Sequence, residues 1–338
     1  MIKSFLKYAV IVLAIAIAFN FNLVVYSLKQ LKGQLQIVLN AEPLEDVIKS
    51  SNTPDSIKTK LLLITQVRKF GIEQLGLTNT KNYTTYYNQN GKPSLWVVTA
   101  AKPFALEEYQ WHFPFLGKVP YKGFFSLKEA HKERDKITSL GNDVDIGTVG
   151  GWSTLGFFTD PVLSNVLKRS EGQIAELILH EMAHATIYFS DSTQFNENIA
   201  TFIGEKGAEL FLQHHFSSNN VPLINYLSYL ADEKTYGLYM LQACSRLDSL
   251  YSTFNDTMSV YNKTLAKYRL IAQIMLGVKN LPLKNYKRYQ WDFKDKKLPG
   301  NTHFLDYKRY RSTQQTFEVI YTVKAGSDFK KFVGFFKN

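Results

Sequence analysis

The spacing of apolar positions changes character once along this chain. In the first half, short alternating stretches sit between helical segments. From residue 160 onward apolar positions recur almost wholly at helical spacing. Ser51-Asn52-Thr53-Pro54 reads as an N-cap followed by Pro at the first helical position, opening a helix that runs to about Leu75 and ends at Gly76. Tyr83–Tyr87 and Leu95–Thr99 flank Asn90-Gly91 and predict a β-hairpin with a rather long loop. Ser126 and Glu129 have the spacing of a capping box, starting a helix that Gly141 ends, and Val144–Val149 adds a strand. Downstream, residues 222–253, 256–278 and 304–325 predict further helices with polar faces between apolar ones. The expectation is an α+β fold: a small N-terminal β-sheet and a predominantly helical body.

One helix in this pattern carries chemistry. Ser170-Glu171-Gly172-Gln173 has capping-box spacing, and no Pro or Gly interrupts the run from Ile174 to Phe189. Within it lies His180-Glu181-Met182-Ala183-His184. Four-residue spacing sets both imidazoles on one helical face, where two nitrogens reach one Zn²⁺ at about 2.0–2.1 Å. Glu181 lies beside them without being a ligand and can serve as general base toward a metal-bound water. Ser190-Asp191-Ser192-Thr193 breaks the pattern, and a second helix opens at Phe195 and passes through Gly207. Twelve residues separate His184 from Glu197, enough to turn and return, so Glu197 is the expected third ligand. A third His six residues after the second is ruled out, because that position is Ser190. Gly204 and Gly207 remove bulk where two helices approach. Asn196 reads either as a brace for the ligand helices or as an exposed first-turn residue.

Composition narrows the remaining classes. With 338 residues, 45% of them apolar, the chain can bury a core as one large domain or two coupled ones. The single Cys244 excludes an intramolecular disulfide and any Cys-based zinc cluster. Net charge is +11, with 40 basic against 29 acidic side chains. Lys284, Lys287, Arg288, Lys294, Lys296 and Lys297 form a basic region that suits an anionic lipid surface or a solvated face. Tyr286, Tyr289 and Trp291 interleave with it, but no nucleic-acid fold signature accompanies them, so nucleic acid is not an expected partner. At the N-terminus, Lys3 and Lys7 precede an uncharged stretch from Tyr8 to Leu28. That length predicts a retained membrane anchor over residues 1–28, with the body exported. The Ala-x-Ala patterns at Ala14–Ala16 and Ala16–Ala18 support the alternative, a cleaved signal and a secreted protein. The expected organisation is thus 1–28 as anchor and 29–338 as the working domain, mixed α/β over 29–150 and mainly helical over 151–338.

HExxH followed by Asn-Glu-x-x-Ala resembles the gluzincin peptidases. The run HEMAHATIYFSDSTQFNENIATFIGEKGAELFL is similar to a bacterial family described as predicted aminopeptidases, as are LWVVTAAKPF, WHFPFLGKVPYKGFF, GWSTLGFFTDPVL and NTHFLDYKRY. The resemblance implies a zincin-like catalytic body with zinc on His180, His184 and Glu197, and Glu181 as catalyst. It implies peptide or protein substrates cleaved by Glu-assisted attack of metal-bound water, with aminopeptidase specificity. In gluzincins a downstream Tyr or His commonly stabilises the oxyanion, which nominates Tyr307 and Tyr310, with His303 close by. It also implies an edge strand that pairs with substrate, for which Gly151–Gly156 is the candidate; the same residues read equally as a tight loop. An aminopeptidase needs a carboxylate for the substrate ammonium. The Gly-x-Met-Glu-Asn segment that supplies it in well-known zinc aminopeptidases is absent, which leaves Asp143, Asp145 or Glu205. Two alternatives stand beside this reading: a membrane-associated zinc endopeptidase, and a non-catalytic membrane-tethered protein with a structural metal. Nothing in the pattern sets the oligomeric state.

Overall fold

The computed structural model describes residues 20–114, 117–148, 159–190, 192–216, 221–294 and 297–337. Residues 1–19 of the expected anchor, the Gly151–Gly156 segment and Lys296 lie outside the described residues. The first described helix, α1 (Phe21–Leu39), runs across the expected boundary at residue 28. Among the described residues no helix is long and apolar enough to cross a membrane.

The architecture is α+β and mostly helical, with small sheets confined to the first half. After α1 come β1 (Glu42–Pro43), α2 (Leu44–Lys49) and α3 (Asp55–Glu73). Then follow β2 (Thr85–Tyr87), β3 (Trp96–Ala101), β4 (Trp111–Phe113), β5 (Gly117–Val119), β6 (Tyr121–Phe124), α4 (Leu127–Ser139), β7 (Asp143–Thr148) and β8 (Val162–Leu163). The helical part is α5 (Glu171–His184), α6 (Thr193–His215), α7 (Val221–Ser252), α8 (Val260–Gly277), α9 (Tyr286–Tyr289), α10 (Asn301–Arg311), α11 (Gln314–Val319) and α12 (Phe329–Gly334).

The expected hairpin does not form. Asn90 and Gly91 do turn with positive φ, 50° and 74°. The strands on either side nevertheless enter different sheets, one ordered β1-β2-β8 and the other β6-β3-β7. A loop from Asn88 to Leu95 with Pro93 inside it is too long to impose the register of a two-residue turn. β2 instead pairs in parallel with β8, Tyr86 opposite Val162, which carries the start of this segment towards α5. The helix expected over 304–325 is also divided, into α10, α11 and a π-helical turn at Ile320–Lys324. Gly141, at φ 85°, ends α4 as expected, whereas Ser126 caps that helix without a side-chain hydrogen bond.

The main core packs α3 (Leu61, Ile64, Val67) and α5 (Ile174, Ile178, Leu179) with α6 (Ile199, Ile203, Phe211), closed by Phe317 and Phe332 near the C-terminus. Each such fully buried aliphatic side chain contributes roughly 1.5–3 kcal/mol. This core is what holds the helices carrying His180, His184 and Glu197 in place. A second core joins α7, α8 and α10 through Met240, Leu247, Ile271, Ile274 and Phe304. The third lies between the β6-β3-β7 sheet and α4, around Val98, Phe124 and Ile137.

Candidate metal centre

Helix α5 starts where the sequence places it, and its cap is closed in both directions. Ser170 accepts from the Gln173 amide, and the Gln173 side chain returns to the Ser170 amide. This end fixes the register of a helix on which His180 and His184 share a face. The chain then leaves α5 and re-enters as α6 through a loop held by Asn196, whose side chain accepts from the Phe189 amide (3.0 Å) and donates to the Phe189 carbonyl (2.8 Å). Asn196 thus clamps the connection at both backbone groups. Next to it, buried Asn198 donates to the carbonyls of Gln194 (2.8 Å) and Arg309 (2.5 Å) and accepts from the Thr313 amide (3.0 Å). Glu197 is therefore flanked by two anchored residues.

Gly204 sets how closely α5 and α6 approach. A Cβ there would stand 2.7 Å from the Glu176 carbonyl oxygen and 3.0 Å from His180 Cβ. Both contacts are with fixed parts of α5, so relief requires the helices to separate. Gly204→Ala is expected to cost about 1–3 kcal/mol of stability, read as a lower urea midpoint. An unchanged midpoint would show that the interface has slack to absorb a methyl group.

The three donors meet. His180 Nε2 and His184 Nε2 are 3.1 Å apart, and Glu197 Oε2 lies 3.4 Å from the first and 3.5 Å from the second. All ligand atoms of the group fall within 4.8 Å of one another. For a tetrahedral ion with bonds of about 2.05 Å, donor atoms should be separated by about 3.3 Å. The observed triangle fits that edge length, and two imidazoles with one carboxylate form a donor set suited to zinc. Without a cation, the same arrangement turns the electron-rich atoms of three side chains towards one point.

Electrostatics reflect the crowding. Burial alone would raise the Glu197 carboxyl, but hydrogen bonds from His180 and His184 hold it well below the usual carboxylate range. Burial alone would lower His184; Glu197, followed by Glu181, raises it instead.

The two downstream tyrosines part company. Tyr310 is tilted beside His180, ring centroids 6.4 Å apart, and its hydroxyl is held protonated by burial and by the charge of Glu197. Tyr307 packs in the second core against Tyr236 and His303, each with centroids 5.6 Å away. Two other tyrosines near the site carried no signal in the sequence. Tyr83 is buried, and burial followed by the charge of Glu181 holds its hydroxyl protonated. Its backbone is left-handed, φ 59°, with its amide on the Asp160 carbonyl at 2.6 Å. Tyr121 on β6 is about two-fifths exposed and is raised by burial and then by Glu197, with Glu181 also contributing.

The carboxylates nominated for an ammonium are unequal. Asp143 is engaged by Lys267 and the Asn301 amide, and Glu205 by Arg311 at 2.6 Å. Asp145 is exposed on β7, with one oxygen accepting from the Ile146 amide. One turn before His180, Glu176 accepts from Tyr226 at 3.1 Å, and burial followed by the Glu205 charge pushes it up to about 8.

A mostly helical α+β frame that gathers two histidines and a glutamate from adjacent helices, with a further glutamate beside them, defines a protein organised around one compact polar site. Residues 25–338 match the model of the family described as "Putative aminopeptidase", and the chain belongs to that family. The family description points to peptidase function. No curated protein and no solved structure matches the chain.

Proposed function

We propose that this chain is a zinc-dependent peptidase, with His180, His184 and Glu197 as metal ligands, Glu181 as general base and acid, and aminopeptidase specificity. The observation that carries the reading is the donor triangle of 3.1, 3.4 and 3.5 Å, formed by HExxH and NExxA residues on two helices. Zn²⁺ in that position supplies Lewis acidity, which lowers the pKa of a water and polarises a carbonyl. The remaining work belongs to the chain. Glu181 takes a proton from the attacking water and delivers it to the leaving amine, so the carboxylate must hold one orientation through both transfers. In this reading Tyr83, held protonated by burial and by the charge of Glu181, provides that hold by donating its hydroxyl to the carboxylate. Tyr310 is kept protonated beside His180 and has the chemistry to donate to a developing oxyanion. Tyr307, turned into the second core, serves packing in this reading. In this reading the apolar N-terminal segment anchors the chain in the membrane and the catalytic body is exported to the periplasm or cell envelope.

Tyr83→Phe removes one hydrogen bond to a charged group, worth roughly 1.5–3 kcal/mol. We expect kcat to fall by about tenfold or more with KM changed less than about twofold, because the bond orients the base and leaves substrate contacts intact. A rise in KM at constant kcat would instead place Tyr83 in substrate binding.

The endopeptidase reading is favoured by one observation: two of the three nominated carboxylates, Asp143 and Glu205, are committed to ion pairs. The decisive experiment digests a peptide library in free and N-acetylated forms with metal-replete protein and reads products by mass spectrometry. An aminopeptidase releases single N-terminal residues and leaves the acetylated set intact. Internal cleavage of both sets establishes the endopeptidase, and absence of cleavage in either removes the peptidase reading.

A further inference from the structure

Helix α1 carries apolar residues on both of its faces, with Ile37 in the main core on the inner one. Its inner face is docked tightly: a Cβ on Gly33 would lie 2.2 Å from the Phe125 ring, and the Tyr26 hydroxyl donates to the Gly123 carbonyl at 2.9 Å. That inner face includes Gln34, buried, whose amide oxygen and nitrogen have no hydrogen-bond partner among the described residues. The outward face, by contrast, is apolar. Phe21, Leu28, Leu31, Leu35 and Leu39 keep from 38% to 76% of their surface exposed. At 3.6 residues per turn these five fall within about a quarter of the helix circumference. The outer face of a soluble surface helix is ordinarily polar, so this face is built to be covered.

Charge indicates what covers it. Along the flank of the stripe runs a groove of about 730 Å³ between α1 and α4, lined by Lys29, Lys32, Lys122, Lys132 and Lys136 against Glu129 and Glu133. Five cations against two anions leave an excess of three positive charges beside the leucines. A second copy of this helix could pair through leucines at 28, 31 and 35, but the charges flanking the stripe on α1 are Lys29 and Lys32, which would face their own kind in a symmetric pair. An anionic surface meets no such penalty, and lysines bordering an apolar stripe let their charged ends reach phosphate while the stems stay in contact with acyl chains. The segment immediately before the helix, Tyr8–Phe19, is apolar and uncharged, so it delivers α1 to a bilayer.

We propose that the outward face of α1 lies in the plane of an anionic phospholipid surface, leucines in the interface and the lysine groove on the headgroups. The protein contact with the bilayer then extends to Leu39, eleven residues past the expected end of the anchor at 28. It is independent of what the chain hydrolyses.

The test places a fluorophore on Leu31→Cys or Leu35→Cys in the full chain, with Leu276→Cys on α8 as an exposed reference. Native Cys244 is buried and leaves the added thiol as the accessible one. The proteins are reconstituted into phosphatidylcholine vesicles with or without phosphatidylglycerol, carrying nitroxide near the headgroup. Quenching at 31 and 35 should exceed that at 276 by about twofold or more when phosphatidylglycerol is present, and should weaken with salt. Equal quenching at all three positions overturns the proposal. So does protection of positions 31 and 35 by cross-linking to a second copy. Lys32→Glu with Lys136→Glu should reduce the quenching; if it does not, the groove plays no part and the proposal fails in that form.

Discussion

Glu181→Gln should lower peptide hydrolysis by about 10²–10⁴-fold, the usual worth of a positioned general acid–base group. The bound metal and the fold should be unchanged. The substitution is nearly isosteric, and the amide oxygen can still accept from the Tyr83 hydroxyl that the proposed mechanism sets on the carboxylate. What disappears is the capacity to take a proton from water and return it to the amine. The helix has no reason to move, since its Ser170–Gln173 cap and the core contacts of Ile174, Ile178 and Leu179 are made without Glu181. The measurement is kcat/KM on a peptide substrate alongside elemental analysis of the same preparation. Full metal with activity reduced to the background establishes Glu181 as the proton carrier. Unchanged activity would remove it from the mechanism, and a wild type with metal but no hydrolysis would support the tethered, non-catalytic alternative.

How much of this site could be read from the sequence depends on the distance over which each contact is made. His180 and His184 are one turn apart, so their shared face follows from helix geometry alone. Glu197 was accessible through a short break and a second periodic run, and Gly204 through the missing side chain where two helices cross. The structure brings all four together. Tyr83 lies about a hundred residues upstream of Glu181 and arrives by parallel pairing of β2 with β8, which leaves no local periodicity. Its segment reads as the first arm of a hairpin because Asn90-Gly91 is a turn signal. The turn exists, but a turn does not decide which sheet each arm joins. Likewise, periodicity predicts helix over 304–325 but does not say which neighbours its faces meet: the single helix α10 sets Tyr310 beside His180 and, three residues earlier, Tyr307 against Tyr236. The apolar face of α1 was partly legible as a hydrophobic run. The packing of Gly33 on Phe125, of Ile37 in the core and of Tyr26 on Gly123 turns the leucines outward, and none of these contacts is local in sequence.

Glu197→Ala should abolish metal binding and with it activity, while leaving a folded protein. The wild type is expected to hold about one metal per chain and to be stabilised by it. Binding to the native state alone adds RT ln(1 + [L]/Kd), about 4 kcal/mol at a thousandfold excess over Kd. Chelation should therefore lower the wild-type Tm, and zinc should restore it. In Glu197→Ala two imidazoles remain, with Nε2 atoms 3.1 Å apart, short of the three protein donors that a catalytic zinc site uses. Its Tm should be insensitive to both chelator and zinc. Loss of the fold is not the expected cause, because neighbours on either side hold α6 without Glu197. Asn196 clamps the Phe189 backbone, and Asn198 is bonded to the carbonyls of Gln194 and Arg309. Calorimetry with and without chelator, with metal counted in both proteins, separates the two causes. A variant that retains stoichiometric zinc and a zinc-dependent Tm would exclude Glu197 from the donor set, whatever its activity. A variant that is unfolded before chelation would instead assign Glu197 a structural role between the helices.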